Sequence, residues 1–143
     1  MTVKSILEEK GRDVVTIAPT ETLESAVRTL AQNRIGAVVV TSAAGRIEGI
    51  LSERDIVRAI ATEGAGVLDK LVSTAMTSRV KTCTEAATIN EVMDIMTRGR
   101  FRHLPVEENG MVAGIISIGD VVKRRISDVE SEAEQIKQYI AAV

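Results

Sequence analysis

From Thr22 onward, apolar residues fall at Leu23, Ala26, Val27, Leu30 and Ala31, the spacing of a helix with one buried face. Upstream, Val3 to Glu9 predicts a short amphipathic helix ended by Gly11, and Val14-Val15-Thr16-Ile17 is a β-rich run stopped by Pro19. Downstream, Asn33 to Gly36 breaks the helical spacing. Ala37-Val38-Val39-Val40 then forms a continuous apolar strand of the kind buried on both faces. Ser42 to Gly45 turns the chain into a second strand, Ile47 to Leu51, and a helix follows from about Arg54 with Ile56, Val57, Ile60 and Ala61 inward.

The same order then returns. Val80 to Cys83 predicts an opening strand, and Ile89, Val92, Met93 and Met96 give a helix with a core-facing side. His103 to Val106 and Val112 to Ile116 are strands joined by the Glu108-Asn109-Gly110 turn, before a last helix from about Asp120 to Ile126. The two halves are copies. Gly49-Ile50-Leu51-Ser52-Glu53-Arg54-Asp55 becomes Gly114-Ile115-Ile116-Ser117-Ile118-Gly119-Asp120 at a shift of 65. With one extra residue near Ala44, Val40 maps onto Val106, Arg34 onto Arg100, Thr22 onto Thr88 and Thr16 onto Thr82.

Alternating strands and helices predict a mixed α/β (α+β) fold of two β-α-β-β-α repeats. The first repeat with its N-terminal helix is read as residues 1–65, the second with its connector as 66–126, and a C-terminal helix as 127–143. Units this short bury too little surface to be stable alone, so the two are expected to pack together. In the connector, Leu68, Leu71, Val72 and Met76 supply a docking face. The tail has helical spacing through Ala133, Ile136, Tyr139 and Ile140 and matches nothing in the repeats. It is expected to dock on its own module or on a neighbouring subunit.

Composition narrows the class. Hydrophobic residues are 45% of the 143, nearly all aliphatic, with Phe101 and Tyr139 the only aromatics. A net charge of −2 gives no overall basic field for nucleic acid or an anionic membrane. The single cysteine, Cys83, rules out an intrachain disulfide and fits a reducing cytosol. No apolar run approaches a membrane span, and the expectation is a cytoplasmic protein.

Two motifs carry chemistry. Ser52-x-x-Asp55 and Ser117-x-x-Asp120 each follow an apolar strand. Ser followed three residues later by an acid is a capping box that satisfies orphan amides at a helix start. A strand-to-helix turn also presents amides, a hydroxyl and a carboxylate together, and such an aspartate can accept both hydroxyls of a ribose. Both readings stay open. In Phe101-Arg102-His103-Leu104-Pro105-Val106, Pro marks an edge strand or a bulge, and Arg102 is either exposed surface charge or a guanidinium fork for phosphate. The first repeat has Gly36 and Ala37 in the places of Arg102 and His103, so any phosphate contact there is asymmetric.

Together the tandem order, the Gly-h-h-Ser-x-x-Asp endings and the Arg-His-Leu-Pro-Val strand resemble a pair of cystathionine-β-synthase (CBS) domains, a Bateman module, over about residues 1 to 126. The resemblance implies two repeats packed about a pseudo-two-fold axis, with two clefts for adenosyl ligands: AMP, ADP, ATP, NAD(H) or S-adenosylmethionine. It implies one cleft built from Ile50, Ser52 and Asp55, with Val80 and Lys81 beside the adenine and Arg102 and His103 facing phosphates. The other would use Ile115, Ser117 and Asp120, with Val14 and Val15 beside the adenine and Arg54 near the phosphates. It also implies a homodimer and an unnamed regulated protein, with no catalytic cofactor.

Other constellations are weak. One histidine and one cysteine make no zinc-type ligand set, and no paired-carboxylate or Walker-type pattern suggests a catalyst. Lys123-Arg124-Arg125 ends a predicted helix, where positive charge is favoured, and no aromatic platform accompanies it for nucleic acid. The sequence therefore favours a non-enzymatic adenine-nucleotide-binding regulatory module, the alternative being a constitutive oligomerisation module whose Ser-x-x-Asp turns are only caps.

Overall fold

A computed structural model describes residues 1–142. The first half contains α1 (Val3–Lys10), β1 (Thr16–Ile17), α2 (Leu23–Asn33), β2 (Ala37–Thr41), β3 (Ile47–Ser52) and α3 (Glu53–Glu63). Two short 3-10 turns, Ala65–Asp69 and Val72–Thr74, lead to α4 (Ile89–Gly99), β4 (His103–Glu108), β5 (Met111–Ser117) and α5 (Ile118–Ala142). Helix starts follow the capping rules. The Thr22 hydroxyl accepts the Ser25 amide, and Thr88 with Glu91 forms a reciprocal capping box. α2 and α4 end alike, with Arg34 and Arg100 in the left-handed region at φ 52° and 55°.

In the first repeat β1 runs parallel to β2, and β2 is antiparallel to β3; in the second, β4 and β5 form a hairpin. Asn109 and Gly110, at φ 53° and 79°, make its two-residue turn, which both positions can enter only with left-handed backbone. The opening strand expected over Val80 to Cys83 shrinks to one parallel bridge, Cys83 with Val106. Its counterpart β1 pairs Thr16 with Val39 and Ile17 with Val40. Pro105 stands where the first repeat has Val39, and without an N–H it cannot extend the ladder beyond Cys83.

Each repeat has its own core, and each core borrows a segment that precedes the other repeat's opening run. Val3, Ile6 and Leu7 of α1 are buried with Cys83, Ile89, Val92, Met96, Leu104, Val106, Ile116 and Val121 of the second repeat. Val67 and Val72 of the connector are buried with Ile17, Leu23, Leu30, Val38, Val40 and Leu51 of the first. Thus α1, grouped by sequence with the first repeat, packs on the second. The motif glycines allow this. A Cβ on Gly49 would meet the Met76 sulfur at 2.7 Å, and one on Gly114 would meet both Leu7 methyls at 2.9 Å.

The repeats also join at their hairpin tips, where the Ile47 amide donates to the Gly110 carbonyl and the Val112 amide to the Gly45 carbonyl. α5 differs from expectation. The two helices read on either side of Ser127 are one unbroken helix of 25 residues, because nothing after Gly119 in it is Gly or Pro. Its first turns pack through Val121, while Ile136, Tyr139 and Ile140 are 60%, 74% and 67% exposed, so the tail does not dock on its own module.

Candidate functional site

β3 delivers Ser52 to the start of α3, and the capping box is fully formed there. The Ser52 amide and hydroxyl both donate to Oδ2 of Asp55, at 2.9 and 3.0 Å, and the Asp55 amide donates to the Ser52 hydroxyl at 3.3 Å. The cap explains the motif locally and leaves more. Among the described residues Oδ1 of Asp55 takes no hydrogen bond, and Ser52 and Asp55 both line a cleft of about 450 Å³, within the usual size range for small-molecule sites.

That cleft lies between the repeats. Ile50, Ser52 and Asp55 reach it from the first, and Val80, Lys81, Arg102 and His103 from the second, as the resemblance implied. Arg54 is a correction. Expected near the second cleft, it lines the first, because it sits in the same opening turn of α3 as Asp55 and shares its outlook. Sequence reasoning missed Arg58, one helical turn beyond Arg54 and Asp55, and Arg79, next to Val80. It noted Arg100 only as surface charge. The i, i+4 spacing of Arg54 and Arg58 was a legible signal for the first of these. Six cationic side chains, Arg54, Arg58, Arg79, Lys81, Arg100 and Arg102, therefore line the cleft against two carboxylates, Glu53 and Asp55. Such a field holds polyanions, and the guanidinium forks suit phosphate oxygens.

His103 is the only imidazole. Burial lowers its pKa from the ordinary 6.5, and the nearby Glu53 and Asp120 carboxylates offset that only in part. The net shift favours the neutral imidazole.

Ser117 and Asp120 repeat the cap, with the Ser117 amide donating to Asp120 Oδ2 at 2.9 Å and the Asp120 amide to the Ser117 hydroxyl at 3.1 Å. Here the carboxylate is already engaged. Nζ of Lys10, at the end of α1, donates to the same Oδ2 at 2.7 Å and to the Ile115 carbonyl at 3.0 Å. Burial alone would raise the Asp120 pKa, yet the hydrogen bonds from Lys10 and Ser117 outweigh it and hold the carboxyl below its ordinary range. Val14 and Val15 are half-buried just ahead of β1, Val15 against the first core. Nothing in the sequence singled out Lys10.

Among the described residues no group of three or more His, Cys, Asp or Glu side chains could hold a metal ion, and no helix is long and apolar enough to cross a membrane. Cys83 is buried, and desolvation first, then the Glu107 carboxylate, pushes its thiol up to about 11. A thiol so protonated is not a nucleophile at neutral pH.

The CBS domain family profile matches residues 3–62 and 72–127. A CBS-domain-containing protein of Agrobacterium tumefaciens is 55% identical with a TM-score of 0.85, over 87% of this chain and 99% of that one. A CBS domain protein of Pyrobaculum aerophilum, solved in complex with AMP, is 29% identical with a TM-score of 0.75, over 84% and 89%. An uncharacterised 17.7 kDa protein of Acidianus ambivalens is 35% identical over 87% of this chain and 77% of its own length. The duplicated fold, the paired Ser-x-x-Asp turns and these matches agree: the chain is a tandem pair of CBS domains and belongs to the CBS domain family.

Proposed function

We propose that this protein is a non-enzymatic sensor of adenine nucleotides, with residues 1–65 and 66–126 as its two repeats and the Asp55 cleft as its working site. The observation that carries this is the convergence, in one cleft between the repeats, of Asp55 with six cationic side chains. Oδ1 of Asp55 takes the ribose hydroxyls, Ile50 and Val80 flank the adenine, and Arg102 with its neighbours takes the phosphates. The Pyrobaculum aerophilum relative solved with AMP supports the ligand class. The number of cations favours AMP, ADP, ATP or NAD(H) over S-adenosylmethionine, whose sulfonium is itself positive. A ligand in the cleft touches both repeats, so it favours one relative arrangement of them, and a regulated protein reads that population. Calorimetric titration with AMP, ADP, ATP, NAD(H) and adenosine tests the reading. Phosphorylated ligands should bind more tightly than adenosine and lose affinity with salt; no binding by any of them overturns it. Incubation with ATP and Mg²⁺ should release no ADP, and release would restore a catalytic reading.

A homodimer in the cytoplasm is part of the proposal. Its support is an apolar groove between α2 and α3 formed by Val27, Leu30, Ile35, Ile56, Val57 and Ile60, in which Val57 is 65% exposed. The rival reading, a constitutive oligomerisation module, is favoured by the complete capping boxes, which account for both Ser-x-x-Asp turns without a ligand. Thermal melting separates the two, since a nucleotide that binds only the folded chain must raise its melting temperature.

A further inference from the structure

The two Ser-x-x-Asp turns of this duplicated chain differ in one contact that the duplication does not predict. In the first, the Ile50 carbonyl is paired with the Thr77 backbone amide, at 2.9 Å, and Oδ1 of Asp55 remains available. In the second, Oδ1 of Asp120 likewise takes no hydrogen bond among the described residues, but the Ile115 carbonyl and the capping oxygen Oδ2 of Asp120 are bridged by one side chain, the ammonium of Lys10. α1 cannot swing away freely, because Val3, Ile6 and Leu7 are locked into the second core and Leu7 packs where Gly114 leaves no room for a side chain. The Val3 and Lys4 amides are further tied to the Ala87 and Glu85 carbonyls, and Arg12 pairs with Glu85 at 2.7 Å. Lys10 is thus held against Asp120 from both sides of its own position in the chain.

A second difference points the same way. By the repeat correspondence, four of the six cations of the first cleft, Arg54, Arg79, Lys81 and Arg102, have Gly119, Asp13, Val15 and Gly36 as counterparts, while Arg58 and Arg100 correspond to Lys123 and Arg34. Fewer groups are left to repay a phosphate for displacing Lys10.

We propose that Lys10 is an internal latch that occupies the ribose-binding acid of the second cleft, so that each chain offers one working adenosyl site and one closed one. Resting as it does on the adenosyl reading of the first cleft, the latch makes the protein a single-site sensor. Any nucleotide entering at Asp120 meets a carboxylate whose charge is already paired and an ammonium standing at both the acid and the Ile115 carbonyl. Lys10 is a specificity-determining residue that touches the site it closes. Its own side chain is 35% exposed, so its removal leaves a water-accessible gap and not a core void.

The test is AMP titration, by calorimetry, of the unaltered protein and of Asp55→Ala, Lys10→Met and the Asp55→Ala/Lys10→Met pair, with Lys10→Gln as a second variant should Lys10→Met melt early. The latch requires one site in the unaltered chain, none in Asp55→Ala, two in Lys10→Met and one in the pair, the last lost again when Asp120→Ala is added. A site weakened by about tenfold or more, as expected for Asp55→Ala, counts as none at the AMP concentrations that saturate the unaltered protein. Two sites in the unaltered chain overturn the latch. So does a single site that survives Asp55→Ala but disappears in Asp120→Ala, although the adenosyl reading would then stand. One site in Lys10→Met and none in the pair also overturn the latch, showing that something else closes the second cleft. No binding in any of the proteins sinks both the latch and the adenosyl reading.

Discussion

Glu53 and His103 face one another across Gly36: a Cβ on that glycine would lie 3.5 Å from Oε1 of Glu53 and 3.4 Å from Cε1 of His103. Glu53 belongs to the first repeat and His103 to the second, so the imidazole sits at the seam a ligand would span. Burial lowers the His103 pKa below 6.5 and Glu53 pulls it back only in part, which makes its protonation responsive to any further negative charge. An incoming phosphate raises it.

AMP or ATP binding should therefore take up protons near neutrality. Affinity should rise as pH falls from about 8 to 6, through the raised pKa of the complex. The stability of the free protein should show the opposite trend. Its depressed histidine contributes stability above the unfolded value of 6.5 and loses it as pH falls through the folded one. Calorimetry in buffers of different ionisation enthalpy measures the uptake directly. His103→Gln should flatten the affinity profile, and an unchanged slope in that variant would remove His103 from the phosphate site.

Asp55 caps α3, and in the proposed site it also holds the ribose, so its removal tests both roles. Loss of the cap costs about 1 kcal/mol of stability, whereas loss of the bonds to ribose weakens nucleotide binding by about 10- to 100-fold. Ser52→Ala removes the hydroxyl that accepts the Asp55 amide and keeps the carboxylate. It should cost similar stability and far less affinity. Equal affinity losses in the two variants would mean that Asp55 acts on the ligand only by holding α3 in place.

Much of this was legible in the sequence. The repeated Gly-h-h-Ser-x-x-Asp phrase marks two strand-to-helix turns, and the structure has a capped turn at each. The family resemblance that these turns carry implied Ile50 and Asp55 on one side of a cleft and Lys81, Arg102 and His103 on the other, and all five line one cleft in the structure. What did not follow was partnership. The period of α1 says which of its faces is apolar but not that Val3, Ile6 and Leu7 bury it in the second core, and without that Lys10 cannot be placed at Asp120. Arg54 was assigned to the other cleft, whereas the opening turn of α3 brings it with Asp55 to the first. The opening strand of the second repeat was read from its apolar run, and the missing N–H that shortens it belongs to Pro105, some twenty residues away.

The left-handed Arg34 at the end of α2 gives a clean stability test. An L-residue in that region costs about 1–2 kcal/mol, and glycine enters it freely at an entropic cost of about 0.5–1 kcal/mol. Arg34→Gly should therefore stabilise the protein by about 0.5–1 kcal/mol in denaturant unfolding, with no change in nucleotide affinity, since Arg34 is not part of the Asp55 cleft. Arg100→Gly relieves the same strain but removes a cleft cation, so it should stabilise the fold and weaken nucleotide binding. A destabilised Arg34→Gly would show that the side chain does more for α2 than its backbone costs.

Cys83 should resist thiol reagents in the folded state. Its pKa near 11 leaves almost no thiolate at neutral pH, and the sulfur is buried in the second core beside Leu104 and Val106. Labelling with a maleimide should proceed only as fast as the core opens, and should accelerate sharply in denaturant. Rapid labelling of the native protein would show that the segment from Val80 to Cys83, held to β4 by a single bridge, opens independently of the rest.

The exposed end of α5 yields the last prediction. Beyond Glu132 no side-chain hydrogen bond or salt bridge is found among the described residues, and Ile136, Tyr139 and Ile140 stay open to water. A helix end with no tertiary contact adds little to the stability of its own chain, because such helical turns are marginal in water. Truncation after Glu132 should thus leave the denaturation midpoint of dilute protein within about 0.5 kcal/mol of the intact chain. At high concentration the two should part if those apolar residues meet a second subunit. The intact protein would then melt later as concentration rises and scatter light as a larger particle, while the truncated one would do neither. A truncated protein that unfolds early even when dilute would show that the last turns of α5 fold back on their own module in solution.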